Sequence, residues 1–132
     1  MGIRREARER ALQALYQLDI TGEGVGVFWE HFDGESDPFT RQLVEGVAQH
    51  REQIDTLIAS STEHWSLPRL SRVDLSLLRL ATYELMERAE IPASVTINEA
   101  IEIARRFGSD ESAAFVNGVL DHIAQTLGVK AE

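Results

Sequence analysis

The chain has 132 residues, 43% of them hydrophobic and 27% charged, with no cysteine and a formal net charge of −9. That length suits one domain over residues 1–132, because two domains would each bury too little core. Without cysteine, disulfides, thiolate nucleophiles and cysteine-ligated metal sites are excluded. No apolar run approaches the roughly 20 residues of a membrane span. The basic N-terminus lacks the apolar stretch of a signal peptide, so a cytoplasmic location is expected.

An average of −9 argues against phosphate-rich partners, yet the charge is segmental. Residues 1–10 hold Arg4, Arg5, Arg8 and Arg10 against Glu6 and Glu9, a local net charge of +2. Residues 19–37 hold Asp19, Glu23, Glu30, Asp33, Glu35 and Asp37 with no Lys or Arg. Twelve of the 13 cations are arginine, the side chain suited to bidentate phosphate contact and to stacking on bases.

In chain order, the apolar spacing is helical almost throughout. Ala7, Ala11, Ala14, Leu15 and Leu18 predict a helix over about 4–19. Gly22, Gly24 and Gly26 interrupt it, and Val25, Phe28, Trp29 and Phe32 predict a short second helix ending near Gly34. Asp37-Pro38 is a helix start, an N-cap followed by proline at the first helical position. Phe39, Leu43, Val47, Ile54, Leu57 and Ile58 carry that helix to about residue 60. Residues 60–68 are punctuation, with Trp65 and Leu67 expected on the core.

Ser71 and Asp74 resemble a capping box opening a helix over about 71–89, which Ile91-Pro92 stops. Thr96 and Glu99 form a second candidate box before an apolar face of Ile97, Ala100, Ile101, Ala104 and Phe107, with Gly108 as the stop. Ser109 to Ser112 supply the next caps, and Phe115, Val116, Val119, Leu120, Ile123 and Leu127 predict a last helix to Gly128. Asn117-Gly118 is a hairpin signal, but its flanks keep a helical period and not an alternating one. A glycine inside a helix costs about 1 kcal/mol relative to alanine, so close approach of a second helix or of a ligand is expected at Gly118. The expectation is an all-α protein of six or seven helices.

Catalytic chemistry is poorly supported. His31, His50, His64 and His122 show no metal-ligand spacing, and no nucleophile elbow, phosphate loop or kinase motif is present. No cofactor is expected. The first helix carries more information: Arg5, Arg8, Leu12 and Tyr16 fall on one flank beside the apolar stripe, with Arg4 at its edge. Two accounts fit this flank. Guanidinium groups and an aromatic ring along a helix suit single-stranded RNA; alternatively, Leu12 and Tyr16 pack on a neighbouring helix while the arginines reach for water.

The order of motifs resembles the NusB family of bacterial transcription antitermination factors over essentially the whole length. The carrying segments are Arg4-Arg5-x-x-Arg8 leading to Ala14-Leu15-Tyr16-Gln17; Leu43-Val44-x-Gly46-Val47; Leu78-Arg79-Leu80-Ala81-x-Tyr83-Glu84-Leu85; Ile91-Pro92; Ile97-Asn98-Glu99-Ala100 with Ile103-Ala104 and Phe107-Gly108; and Phe115-Val116-Asn117-Gly118-Val119-Leu120-Asp121. The resemblance implies two small helical bundles packed across each other and a non-enzymatic role. It implies pairing with NusE, a small-subunit ribosomal protein, binding of boxA-type RNA in nascent ribosomal RNA leaders, and assembly of an antitermination complex on RNA polymerase.

Carried over by position, the RNA surface comprises Arg4, Arg5, Arg8, Tyr16, Glu111, Phe115 and Asn117, and Asp74 lies on the side that meets NusE. Structural roles compete at two of these places, burial of Asn117 and simple capping by Asp74, and at neighbouring Gly118 as a helix crossing. Glu6 and Glu9 interrupt the basic patch, and the tail holds only Lys130, so weak RNA affinity without the partner is expected. Some relatives self-associate, and the sequence leaves a homodimer open. An alternative function is a mainly acidic protein–protein adaptor for the basic ribosomal partner, with minor RNA contact.

Overall fold

The computed structural model describes residues 3–31, 37–62 and 70–129, which contain no strand. They form α1 (Ile3–Thr21), α2 (Val25–His31), α3 (Pro38–Gln49), α4 (Arg51–Ser60), α5 (Arg72–Glu87), α6 (Ala93–Phe107) and α7 (Asp110–Leu127). Helices α1 and α3 pack on each other and on α5; α6 and α7 pack on each other and on the same α5; α4 lies against α3, α5 and α7. Two small helical bundles therefore cross each other and share α5, as the family resemblance implies.

The reason α5 takes this place is its composition. Every residue from Leu75 to Leu85 is buried, and a helix enclosed on all sides is a core helix. The apolar spacing of Leu77, Leu78, Ala81 and Leu85 marks only one of its faces. The others bury Ser76, Arg79, Thr82 and Glu84, polar groups that periodicity would place in water. Leu43, Ile54, Ile58, Ile103, Leu120 and Ile123 close around α5 with almost no exposure, each contributing about 1.5–3 kcal/mol of burial.

Several caps form as the sequence predicts. The Phe39 backbone N–H donates to Asp37 Oδ1 at 2.7 Å ahead of Pro38. Ser109 accepts from the Ser112 N–H at 3.0 Å, and Gly128 ends α7 with φ 77°. Ser71 caps α5 by accepting from the Asp74 N–H at 3.0 Å. The carboxylate of Asp74 turns the other way, accepting from the Ser112 hydroxyl at 3.3 Å, so the reciprocal half of that box is replaced by a tie to α7.

Three expectations are corrected. The helix predicted from residue 38 to about 60 is two helices, separated at His50 (φ −109°, ψ 19°). The His50 N–H donates to the Gly46 carbonyl at 3.0 Å, and the ring Nδ1 lies 3.0 Å from the same oxygen. The Tyr83 ring of α5 sits 5.8 Å from the His50 ring, and the break itself carries no Pro or Gly at residue 50. Thr96 and Glu99 form no capping box, because α6 begins at Ala93 behind Pro92; both side chains reach other helices instead. Gly118 is no helix crossing: a Cβ built there meets nothing within 4 Å. Phe32, Gly34, Trp65 and Leu67 lie outside the described residues.

Candidate nucleic-acid interface

The N-terminal half of α1 is bound to the rest of the fold through its charges. Arg8, one turn before the core residues Ala11 and Leu12 on α1, is buried and donates from Nε and Nη2 to Glu84 of α5 at 2.7 and 2.8 Å. Thr96 of α6 donates its hydroxyl to the same carboxylate at 3.3 Å. One carboxylate thus joins α1, α5 and α6. A buried charge is tolerable only when paired and hydrogen-bonded in this way.

One turn earlier, Arg5 makes a bidentate pair with Glu99 of α6, the second bond measuring 3.0 Å. Hydrogen bonding from Arg5 holds the Glu99 carboxyl below the ordinary carboxylate range, against an opposing push from burial. The same bond raises the Arg5 pKa, again against burial. Farther along, Glu9 accepts from Arg106 of α6 at 3.0 Å, and Asp19 accepts from Arg72 of α5 at 2.9 Å. Residues 5, 8, 9 and 19 therefore clamp α1 along its length.

Arg4 is exposed and lies 4.3 Å from the Phe39 ring, which also has Arg8 at 5.4 Å and Arg88 at 5.0 Å. Three guanidinium groups around one ring repel one another, and carboxylates offset two of them: Glu84 for Arg8, and Glu90 for Arg88, whose Nε donates at 2.6 Å. Arg4, Arg5 and Arg8 line a recess of about 360 Å³ with Ile91, Pro92, Val95, Glu90 and Glu99. It offers cations at its rim beside an apolar wall. Tyr16 lies farther along α1 with its side chain exposed.

A second recess, of about 270 Å³, is lined by Leu70, Ser71, Asp74, Ser109, Glu111, Ser112 and Phe115. It brings together Asp74, expected on the protein-partner side, with Glu111 and Phe115, expected on the RNA side. Phe115 packs partly on the core, and Glu111 is exposed. Asp74 Oδ1 is buried and has no hydrogen-bond partner among the described residues, an arrangement that costs free energy until a donor arrives. Asn117 is exposed on α7, so it does not fill the buried structural role that competed with an RNA role.

Of the eight residues the sequence singles out, Arg8 fits a surface role least. Its helical position on the Arg5–Tyr16 flank is as predicted, but it faces inward to Glu84. Glu84, Glu99, Phe39, Arg88 and Arg106 complete the arrangement, and sequence reasoning assigns none of them a place in this site. Charges inside the apolar run Leu77–Leu85, Glu84 among them, are the signal from which a buried charge needing a partner could have been read. Among the described residues, no group of three or more His, Asp or Glu is placed to hold a metal ion, and no helix is long and apolar enough to cross a membrane.

The architecture and its charged edge define an all-helical class of protein, two crossed bundles built on a shared central helix. The NusB family matches residues 5–125. The transcription antitermination protein NusB of Geobacter sulfurreducens is 49% identical over 96% of this chain and 97% of its own. That of Bacillus subtilis is 48% identical over 91% and 93%. Among solved structures, T. maritima NusB superposes with a TM-score of 0.84 at 42% identity, over 95% of this chain and 92% of that one. A complex of the antitermination factors NusB and NusE with double-stranded RNA gives 0.81 at 28% identity, over 96% and 98%. The chain belongs to the NusB family.

Proposed function

We propose that the chain is a transcription antitermination factor, non-enzymatic and cytoplasmic, that binds boxA-type RNA of nascent ribosomal RNA leaders together with NusE. The pair then helps to assemble an antitermination complex on RNA polymerase. The observation that carries this reading is the α1 edge, where exposed Arg4 and partly exposed Arg5 flank a recess with an apolar wall of Ile91, Pro92 and Val95 and the carboxylates of Glu90 and Glu99. Cations beside an apolar wall match the backbone and the bases of a single strand. Family membership and the NusB–NusE–RNA complex among the structural neighbours support it.

Within this reading Arg4, Arg5 and Tyr16 meet RNA on α1, and Glu111, Phe115 and Asn117 extend the contact onto α7. Arg8 supports the site from behind by fixing α1 against Glu84. Asp74 serves the protein partner: its unpaired Oδ1 fits a basic donor from NusE. The sharing of one recess by Asp74, Glu111 and Phe115 supports an RNA path that runs beside the partner.

The test is titration of labelled boxA RNA with NusE present, at two salt concentrations. Replacing Arg4 and Arg5 by Gln is expected to weaken binding and to flatten the salt dependence by about 0.7 in slope per lost phosphate contact. Unchanged affinity and slope in a folded double variant would remove the α1 edge from the RNA surface.

A further inference from the structure

We propose that Glu99 is an intramolecular competitor for the RNA phosphate, occupying the Arg5 guanidinium until RNA displaces it. The inference rests on the RNA-binding reading above and adds a residue that sets affinity at that same edge. A carboxylate accepting two hydrogen bonds from one guanidinium presents the geometry a phosphate would take, and Glu99 holds Arg5 in that bidentate manner.

Relative exposure decides which of the α1 ion pairs can open. The Arg8 and Glu84 side chains are 4% and 1% exposed, and parting them would strand a carboxylate in the core. The Arg5 and Glu99 side chains are 30% and 18% exposed, so water can receive a released Glu99. Both line the recess that also holds Arg4, Pro92 and Val95, which leaves room for a phosphate and its sugar next to the guanidinium. Arg106, held by Glu9, lies at the opposite end of α6. RNA entering the recess therefore exchanges one anion for another at Arg5, and a repelled Glu99 carboxylate subtracts from the gain. This accounts for a basic helix with little spare positive charge: its reach for RNA is tuned down by the fold itself.

The experiment compares wild type, Glu99→Gln, Glu102→Gln and the double variant Arg5→Gln/Glu99→Gln. Each is titrated with boxA RNA in the presence of NusE at two salt concentrations, with thermal unfolding recorded in parallel. Glu99→Gln keeps the size and one acceptor but removes the charge, and is expected to bind RNA roughly 3- to 10-fold more tightly than wild type. The gain is expected to vanish in the double variant. Glu102→Gln changes the net charge equally on the same helix, where Glu102 pairs with Arg105, and is expected to gain less than Glu99→Gln. Equal or weaker binding by a folded Glu99→Gln variant, or an equal gain in Glu102→Gln, overturns the competition.

A second readout uses the wild type alone: the Arg5 Nε–H resonance is expected to shift when RNA is added, and an unmoved resonance in a saturated complex overturns the proposal even if Glu99→Gln folds poorly. The two readings fail differently. Wild type that binds boxA no better than a scrambled strand ends the functional reading and this one with it. Wild type that binds boxA while Glu99→Gln gains nothing ends only this one.

Discussion

Arg8 and Glu84 form a buried, doubly hydrogen-bonded ion pair that joins the first helix to the central one, at 2.7 and 2.8 Å, with the two residues 3% and 1% exposed. It converts what looks like a cation for a ligand into a pin that sets the position of its neighbours. Arg4 and Arg5 are presented at the edge because Arg8 is anchored behind them.

Removing one member of that pair leaves the other buried and uncompensated. Arg8→Ala or Glu84→Ala is expected to destabilise the fold by about 3–5 kcal/mol, measured by urea unfolding. An apolar replacement of both, Arg8→Met with Glu84→Leu, is expected to cost less than either single change, because no charge is then stranded. Additive losses would show that the two residues act independently.

Gly46 and Tyr83 meet at the crossing of α3 and α5. A Cβ at Gly46 would overlap the Tyr83 ring at Cζ, and Tyr83 is buried. Gly46→Ala is expected to cost about 1–3 kcal/mol by overpacking. In a Tyr83→Leu background the same change is expected to cost less, a coupling that a double-mutant cycle reads directly.

Gly118 gives the opposite sign. It sits inside α7 with open space where a Cβ would be, so Gly118→Ala is expected to stabilise the fold by about 1 kcal/mol through helix propensity, seen as a higher melting temperature. A loss of stability would mean that a neighbour closes on this face in solution.

The Arg5–Glu99 pair gives a pH dependence. The folded Glu99 carboxyl lies below its ordinary value of 4.5, chiefly through the hydrogen bond from Arg5. A depressed carboxyl pKa contributes stability that is complete above the unfolded value and is lost as pH falls through the folded one. The stability difference between wild type and Glu99→Gln is therefore expected to be constant from neutral pH down to about 5 and to shrink below about 4.5. Urea denaturation across that range checks it, and a difference that grows on acidification would reverse the assignment.

The sequence by itself determined the all-helical class, most helix limits and the caps at Asp37, Ser71, Ser109 and Gly128. Apolar period and cap chemistry are local properties, written within a few residues of where they act. It also located the basic helix inside an acidic chain. Only the tertiary structure decided where those charges go. Arg8 turns inward because Glu84 lies 76 residues away in sequence and adjacent in space, and Arg5 is held by Glu99 from 94 residues away. The break at His50 falls beside a ring from α5, and the capping box at Thr96 gives way to a bond with Glu84. A charge count can say that a helix is basic; whether its cations face a ligand or a carboxylate is settled by the helices that pack beside it.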